Sequence, residues 1–160
     1  MTYYTRHDSP LGSLLLAASE RGLSGMYFEE HKHFTGMQGW QHAPDHVLLK
    51  DAAQQLDQYF AGQRTTFDVR LDLAGTAFQR SVWQALLQIP FGHTISYTEH
   101  AQRIGNPKAL RAVGAAIGRN PVSIIVPCHR VIGASRSPTG YAGGLARKCT
   151  LLALEGVQLS

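Results

Sequence analysis

The sequence predicts an α/β (α+β) protein in two parts: a small N-terminal antiparallel sheet with a helix, then a mostly helical part containing a helix-turn-helix. Three observations point there. Short β-prone runs alternate with turn residues as far as Phe28, apolar residues recur at helical spacing over 47–61, and two helical patterns meet at Gly105-Asn106-Pro107.

Residues 3–5, 14–17 and 23–28 are β-prone or apolar and are separated by Ser9-Pro10, Gly12 and Arg21-Gly22, the punctuation of a small antiparallel sheet. Residues 29–46 are polar and rich in His, Gly and Gln, which predicts a mobile loop. Leu48, Leu49, Ala52, Ala53, Leu56, Tyr59 and Phe60 then mark one face of a helix that Gly62 stops. Phe67, Val69, Leu71 and Leu73 alternate with Asp68, Arg70 and Asp72, the pattern of a half-buried strand. The junction falls at 74–76, giving domains 1–75 and 76–160.

Beyond it, Phe78, Val82, Trp83, Leu86 and Leu87 line a helix over 78–88 that Pro90 and Gly92 end. Ser96 and Glu99 form a capping box, so a helix begins near Tyr97 and runs to about Ile104. Gly105 stops it, Asn106 suits the next N-cap and Pro107 the next first turn, for a second helix over 107–118. That second helix is narrow and basic, with Ala109, Ala112, Gly114, Ala115 and Ala116 beside Lys108 and Arg111.

The chain has 160 residues, enough to bury a core without staples. Two cysteines cannot make a disulfide framework, and no apolar run approaches the roughly 18 residues of a membrane span. A cytoplasmic, reducing setting is therefore expected. Charge is unevenly placed: residues 1–73 hold six Lys and Arg against nine Asp and Glu, while 74–160 hold nine against two. A basic second half beside an acidic first half suits contact with a polyanion through the second half alone.

Pro127-Cys128-His129-Arg130 follows the apolar run Ile124-Ile125-Val126, which reads as a strand delivering a thiol to the mouth of the core. The residues leave two readings open. Cys128 is either a small buried hydrophobe or a nucleophile. Pro127 ends any sheet ladder, and Arg130 places a cation near a thiol whose ordinary pKa of about 8.5 leaves little thiolate at neutral pH. His129 reaches the sulfur only through a bend or a water, because neighbours on an extended chain point to opposite faces.

Several stretches carry a resemblance beyond these local arguments. They are Gly105-Asn106-Pro107-Lys108-Ala109, Arg111-Ala112-Val113-Gly114, Asn120-Pro121, Ile125-Val126-Pro127-Cys128-His129-Arg130-Val131 and Gly140-Tyr141-Ala142-Gly143-Gly144. Together with Phe78-Gln79, Val82-Trp83, Leu86 and Ile89-Pro90, they resemble the O6-alkylguanine-DNA alkyltransferases, closely from Thr76 to Gly156 and loosely before it.

The resemblance implies a ribonuclease H-like N-terminal domain and a C-terminal DNA-binding and alkyl-acceptor domain. It implies direct-reversal repair: one irreversible transfer of a methyl or other alkyl group from O6 of guanine, and from O4 of thymine, to Cys128 after base flipping. In the family a Glu, a His and a bound water relay charge toward the cysteine, and Glu155 and His129 hold the matching positions. Asn120 matches the hinge between recognition helix and acceptor segment.

Tyr97 matches a tyrosine that turns the 3′ phosphate and contacts the extruded base. Tyr141 matches a residue bordering the guanine pocket. Val131 and Ala142 match backbone contacts, with Ala142 standing where some members carry serine. Arg111 matches the finger that fills the emptied stack, and Lys108, Ala109, Ala112 and Gly114 share its DNA-facing segment.

The implied partner is double-stranded DNA carrying O6-alkylguanine, met by a monomer, with no membrane and no cofactor; cooperative binding along DNA stays open. Some members bind zinc through N-terminal cysteines and histidines. Here no cysteine precedes Cys128, and His31, His33, His42 and His46 lie in a polar segment without thiols, so no metal is expected. Two other classes remain: a lesion-binding module with an idle cysteine, and a thiol hydrolase using Cys128 with a histidine.

Overall fold

The computed structural model describes residues 1–159, which fold as two compact units that divide between Ala74 and Gly75.

In the first unit, β1 (Tyr3–Ser9) and β2 (Gly12–Ala18) form a hairpin, with Ser9 opposite Gly12. Gly12 takes φ 103°, a left-handed conformation that a Cβ would oppose at this tight turn. β2 continues antiparallel to β3 (Leu23–Phe28), and the short β4 (Gln41–His42) adds parallel to β1, giving the order β3-β2-β1-β4. Leu14 to Ala18 are all buried, so β2 reads as a continuous apolar run and not as an alternation.

Helix α1 (Val47–Phe60) buries Leu49, Ala52, Leu56 and Tyr59. His46 caps it by accepting the Leu48 amide at 3.2 Å. The segment 29–46, expected to be a mobile loop, instead carries β4 and a chain of rings. Tyr27 meets Phe34 at 4.7 Å, Phe34 meets Trp40 at 6.1 Å, and Tyr4 meets His42 at 5.2 Å. Aromatic packing supplies what its polar composition hides.

The expected strand over 67–73 is reduced to one bridge, Leu71 against Leu23. The backbone of Asp68 bonds instead to the buried Gln55 side chain, whose amide takes both the N–H at 2.8 Å and the carbonyl at 3.0 Å.

The second unit starts at α2 (Ala77–Leu86), closed at its N-terminus by a reciprocal Thr76–Gln79 capping box worth about 1 kcal/mol. Val82, Trp83 and Leu86 point inward, and the Trp83 indole donates to the Ala116 carbonyl at 2.7 Å. Leu87, expected on that face, is exposed because the helix ends one residue earlier.

After β5 (Ile95–Ser96), α3 (Tyr97–Arg103) is capped by Ser96, which accepts the Glu99 amide at 3.0 Å. Helix α4 (Leu110–Gly118) starts three residues later than Pro107 predicts: Asn106 to Ala109 forms a separate turn, and Ala109 caps α4 without a side-chain bond. β6 (Val131–Ile132) pairs parallel with β5, and α5 (Leu145–Leu154) closes the unit. None of the described helices is long and apolar enough to cross a membrane.

Candidate active site

Residues 122–126 are buried but form no strand. They turn repeatedly, Ile124 taking φ 69°, a left-handed conformation that a β-branched residue adopts only under strain. The turn is organised by Asn120, whose side chain accepts the Val122 amide at 3.0 Å and donates to the Val126 carbonyl at 2.8 Å. Asn120 keeps a negative φ and shapes the turn with its side chain. The path ends at Pro127, after which Cys128 begins a 3-10 turn, Cys128–Arg130.

Cys128 is a free thiol, 6 % exposed. Burial pushes it up from its ordinary range, while hydrogen bonding from Asn120 and Tyr141 and the charge of Lys148 pull it down. The resting sulfur is thus a thiol among groups that favour thiolate once its proton is taken. Arg130, expected to supply the nearby charge, turns elsewhere; the cation at the sulfur is Lys148.

His129 and Glu155 come together across 26 residues of chain, with Nε2 2.7 Å from Glu155 Oε2. Arg130 grips the same carboxylate, Nε to Oε1 at 2.8 Å and Nη2 to Oε2 at 3.0 Å, and donates to the Ile89 carbonyl at 2.6 Å. An ionised carboxylate can only accept, so Nε2 carries the imidazole proton and Nδ1 the lone pair. Nδ1 is buried without a hydrogen-bond partner among the described residues. Burial holds the imidazole below its usual pKa against the opposing pull of Glu155, so it rests neutral.

Helix α5 is rotated from the phase that the sequence suggests, in which Leu145, Cys149, Leu152 and Ala153 form the apolar face of a helix from about Gly143. Leu145 and Cys149 face outward, while Lys148, Leu151 and Leu152 face inward. Lys148 explains the rotation: its ammonium donates to the carbonyls of Val131 and Thr139 at 2.7 Å each and of Gly140 at 3.2 Å. Burial lowers its pKa to about 8. The spacing Lys148, Leu151, Leu152, Glu155 was the available signal, since it places both ionisable residues on the buried stripe.

Tyr97, at the start of α3, donates its hydroxyl to the Thr139 carbonyl at 3.2 Å and lies under the Lys148 ammonium, 5.9 Å from ring centre to nitrogen. Burial raises its pKa, so it remains a donor. Val131 is fully buried, and Tyr141 and Ala142 are half-buried where the chain approaches α5. Gly140, at φ 50°, has the Tyr97 hydroxyl 4.0 Å from the place of a Cβ.

On α4 and the turn before it, Lys108, Arg111 and Ala112 are exposed and Ala109 and Gly114 half-buried. Arg111 has no ion-pair or hydrogen-bond partner among the described residues. Open space surrounds the position of a Cβ on Gly114, so its smallness serves no internal packing. Among the described residues no cluster of His, Cys, Asp or Glu is suited to a metal ion.

Comparisons with known proteins point to one family. Residues 77–157 match the 6-O-methylguanine DNA methyltransferase DNA-binding domain, and residues 2–73 match the ribonuclease-like domain of the same proteins. A methylated-DNA–protein-cysteine methyltransferase of Mycobacterium leprae is 51 % identical over 152 residues, covering 95 % of this chain and 91 % of that protein. One from Methanosarcina acetivorans is 50 % identical over 155 residues, covering 96 % of this chain and 98 % of that protein. The crystal structure of Mycobacterium tuberculosis OGT in complex with DNA superposes with a TM-score of 0.90 at 52 % identity, covering 96 % of this chain and 92 % of that one. With both domain models matched in order over nearly its whole length, the chain belongs to the 6-O-methylguanine DNA methyltransferase family.

Proposed function

We propose that this chain repairs double-stranded DNA by moving an alkyl group from O6 of guanine to Cys128, once per molecule. The observation that carries the reading is a buried thiol one residue from an imidazole whose Nε2 is committed to Glu155 and whose Nδ1 lone pair is left over. Displacement at an alkyl carbon needs a strong, soft nucleophile, and a thiolate made on demand by a neutral base supplies one. The thiol proton passes to His129 through a water or a small bend. The S–C bond forms as the C–O6 bond breaks, and guanine takes a proton as it leaves.

The product thioether has no leaving group that water could displace at neutral pH, so the protein is consumed. Lys148 fixes the segment bearing Thr139 and Gly140 against Tyr97 and thereby shapes one wall for the base. A guanine reaches that wall only after rotating out of the duplex, and Arg111, unpaired on α4 with the small residues Ala109, Ala112 and Gly114 around it, is placed to fill the gap. Lys108 adds a phosphate contact. O4-alkylthymine, with its alkyl group on an equivalent exocyclic oxygen, is the second substrate.

Mixing the protein with a molar excess of duplex bearing O6-methylguanine tests the stoichiometry. Repair is expected to stop at one lesion per protein molecule. Continued repair, or none, would refute the proposal.

A further inference from the structure

Arg130 is nearly buried, although burying a charge is costly unless it is fully paired. Its three hydrogen bonds all run inward: two to Glu155 and one to the Ile89 carbonyl, with the guanidinium carbon 5.9 Å from the centre of the Phe91 ring. None of these contacts reaches Cys128. The arginine reaches the site through the carboxylate that also holds His129, and its charge opposes protonation of the ring as well.

That sharing has a chemical consequence. Glu155 and His129 alone would form a buried pair of charge −1, which relieves its charge by taking up a proton. A pair that already carries the extra proton cannot accept the one from Cys128. With Arg130 on both oxygens, the triad is electrically neutral and the imidazole stays unprotonated. We propose that Arg130 is a positioning residue of the transfer reaction, which keeps Glu155 ionised and aligned and so reserves the Nδ1 lone pair of His129 for the thiol proton. The inference rests on the reading of Cys128 as alkyl acceptor.

Few other charges touch His129. Lys148 of α5 is the other cation that acts on it and also opposes protonation. Arg147 of α5 turns to the Gly143 carbonyl at 3.1 Å, Cys149 is exposed, and Arg80 of α2 bonds the Gly75 carbonyl.

The test is a pH titration of the His129 imidazole by NMR in the full-length protein, which needs no alkylation and so separates this proposal from the reading beneath it. In Arg130→Gln the His129 titration should move up by about one pH unit or more relative to wild type. Arg130→Lys, which keeps a cation in the core but loses the two-point grip, should move it in the same direction by less, and it carries the test if Arg130→Gln is too unstable to titrate. In a Glu155→Gln background, adding Arg130→Gln should move it by less than in wild type, since only the direct effect of the arginine's charge on the ring is left. The rate of Cys128 alkylation by free O6-benzylguanine should show its acid limb displaced with the titration. A His129 titration unmoved in both single variants, or one moved equally by Arg130→Gln in the Glu155→Gln background, overturns the proposal.

Discussion

His129 Nε2 lies 2.7 Å from Glu155 Oε2, and neither side chain has any solvent-exposed surface. A bond this short between a ring N–H and an ionised carboxylate fixes both the tautomer and the direction of the ring. The histidine therefore presents its basic nitrogen to one side only, and the chemistry of Cys128 inherits that direction.

Glu155→Gln keeps the shape but removes the charge. Alkylation of Cys128 by free O6-benzylguanine should slow about 100-fold, the usual scale of general-base assistance. Stability should fall by roughly 3 kcal/mol, since Arg130 then carries an uncompensated buried charge. Stopped-time mass spectrometry and urea unfolding measure the two separately.

Arg111→Ala should discriminate between substrates. Reaction with O6-methylguanine in duplex DNA should slow about tenfold or more, on the scale of one lost arginine contact, while reaction with free O6-benzylguanine stays within about twofold. Equal slowing of both would reject a role in holding the opened duplex.

His100 gives the second unit an acid weakness. It is wholly buried on α3 with Nε2 3.1 Å from the Val82 carbonyl, and burial lowers its pKa from 6.5. The unfolded chain therefore binds a proton that the folded chain refuses, so this contribution is whole above pH 6.5 and drains away as pH falls toward the folded pKa. Urea unfolding between pH 7 and 5 should show a smaller loss of stability in His100→Leu than in wild type.

Lys148 works in the alkaline range. Its pKa falls from 10.5 unfolded to about 8 folded, so between those values the unfolded chain holds more protons and stability rises with pH. Relative to Lys148→Met, wild type should gain stability from pH 8 to 10, and a difference that stays flat would show that the ammonium is not held as described.

Much of this was legible from residue order. The capped start of α3 and the helical stripe of Leu49, Ala52, Leu56 and Tyr59 follow from local rules, while the motifs around Asn120 and Cys128 carry the family resemblance. What failed was non-local. The 122–126 run is as apolar as a strand, yet Asn120 and the strained Ile124 bend it, because its backbone is bonded by a side chain and not by a ladder. Lys148 stayed hidden because a charged residue is ordinarily assigned to the surface, and the three carbonyls that receive it come from 131, 139 and 140. Arg130 was read as a partner of its sequence neighbour Cys128, whereas its partner lies 25 positions away.

The central claim, that Cys128 receives the alkyl group, is tested most directly by locating the mass change. After incubation with duplex DNA carrying O6-methylguanine, the intact protein should gain one methyl group, and peptide mapping should place it on Cys128 with Cys149 unmodified. A protein that binds the lesion with no mass gain, or whose methyl group lies on any other residue, would contradict the account.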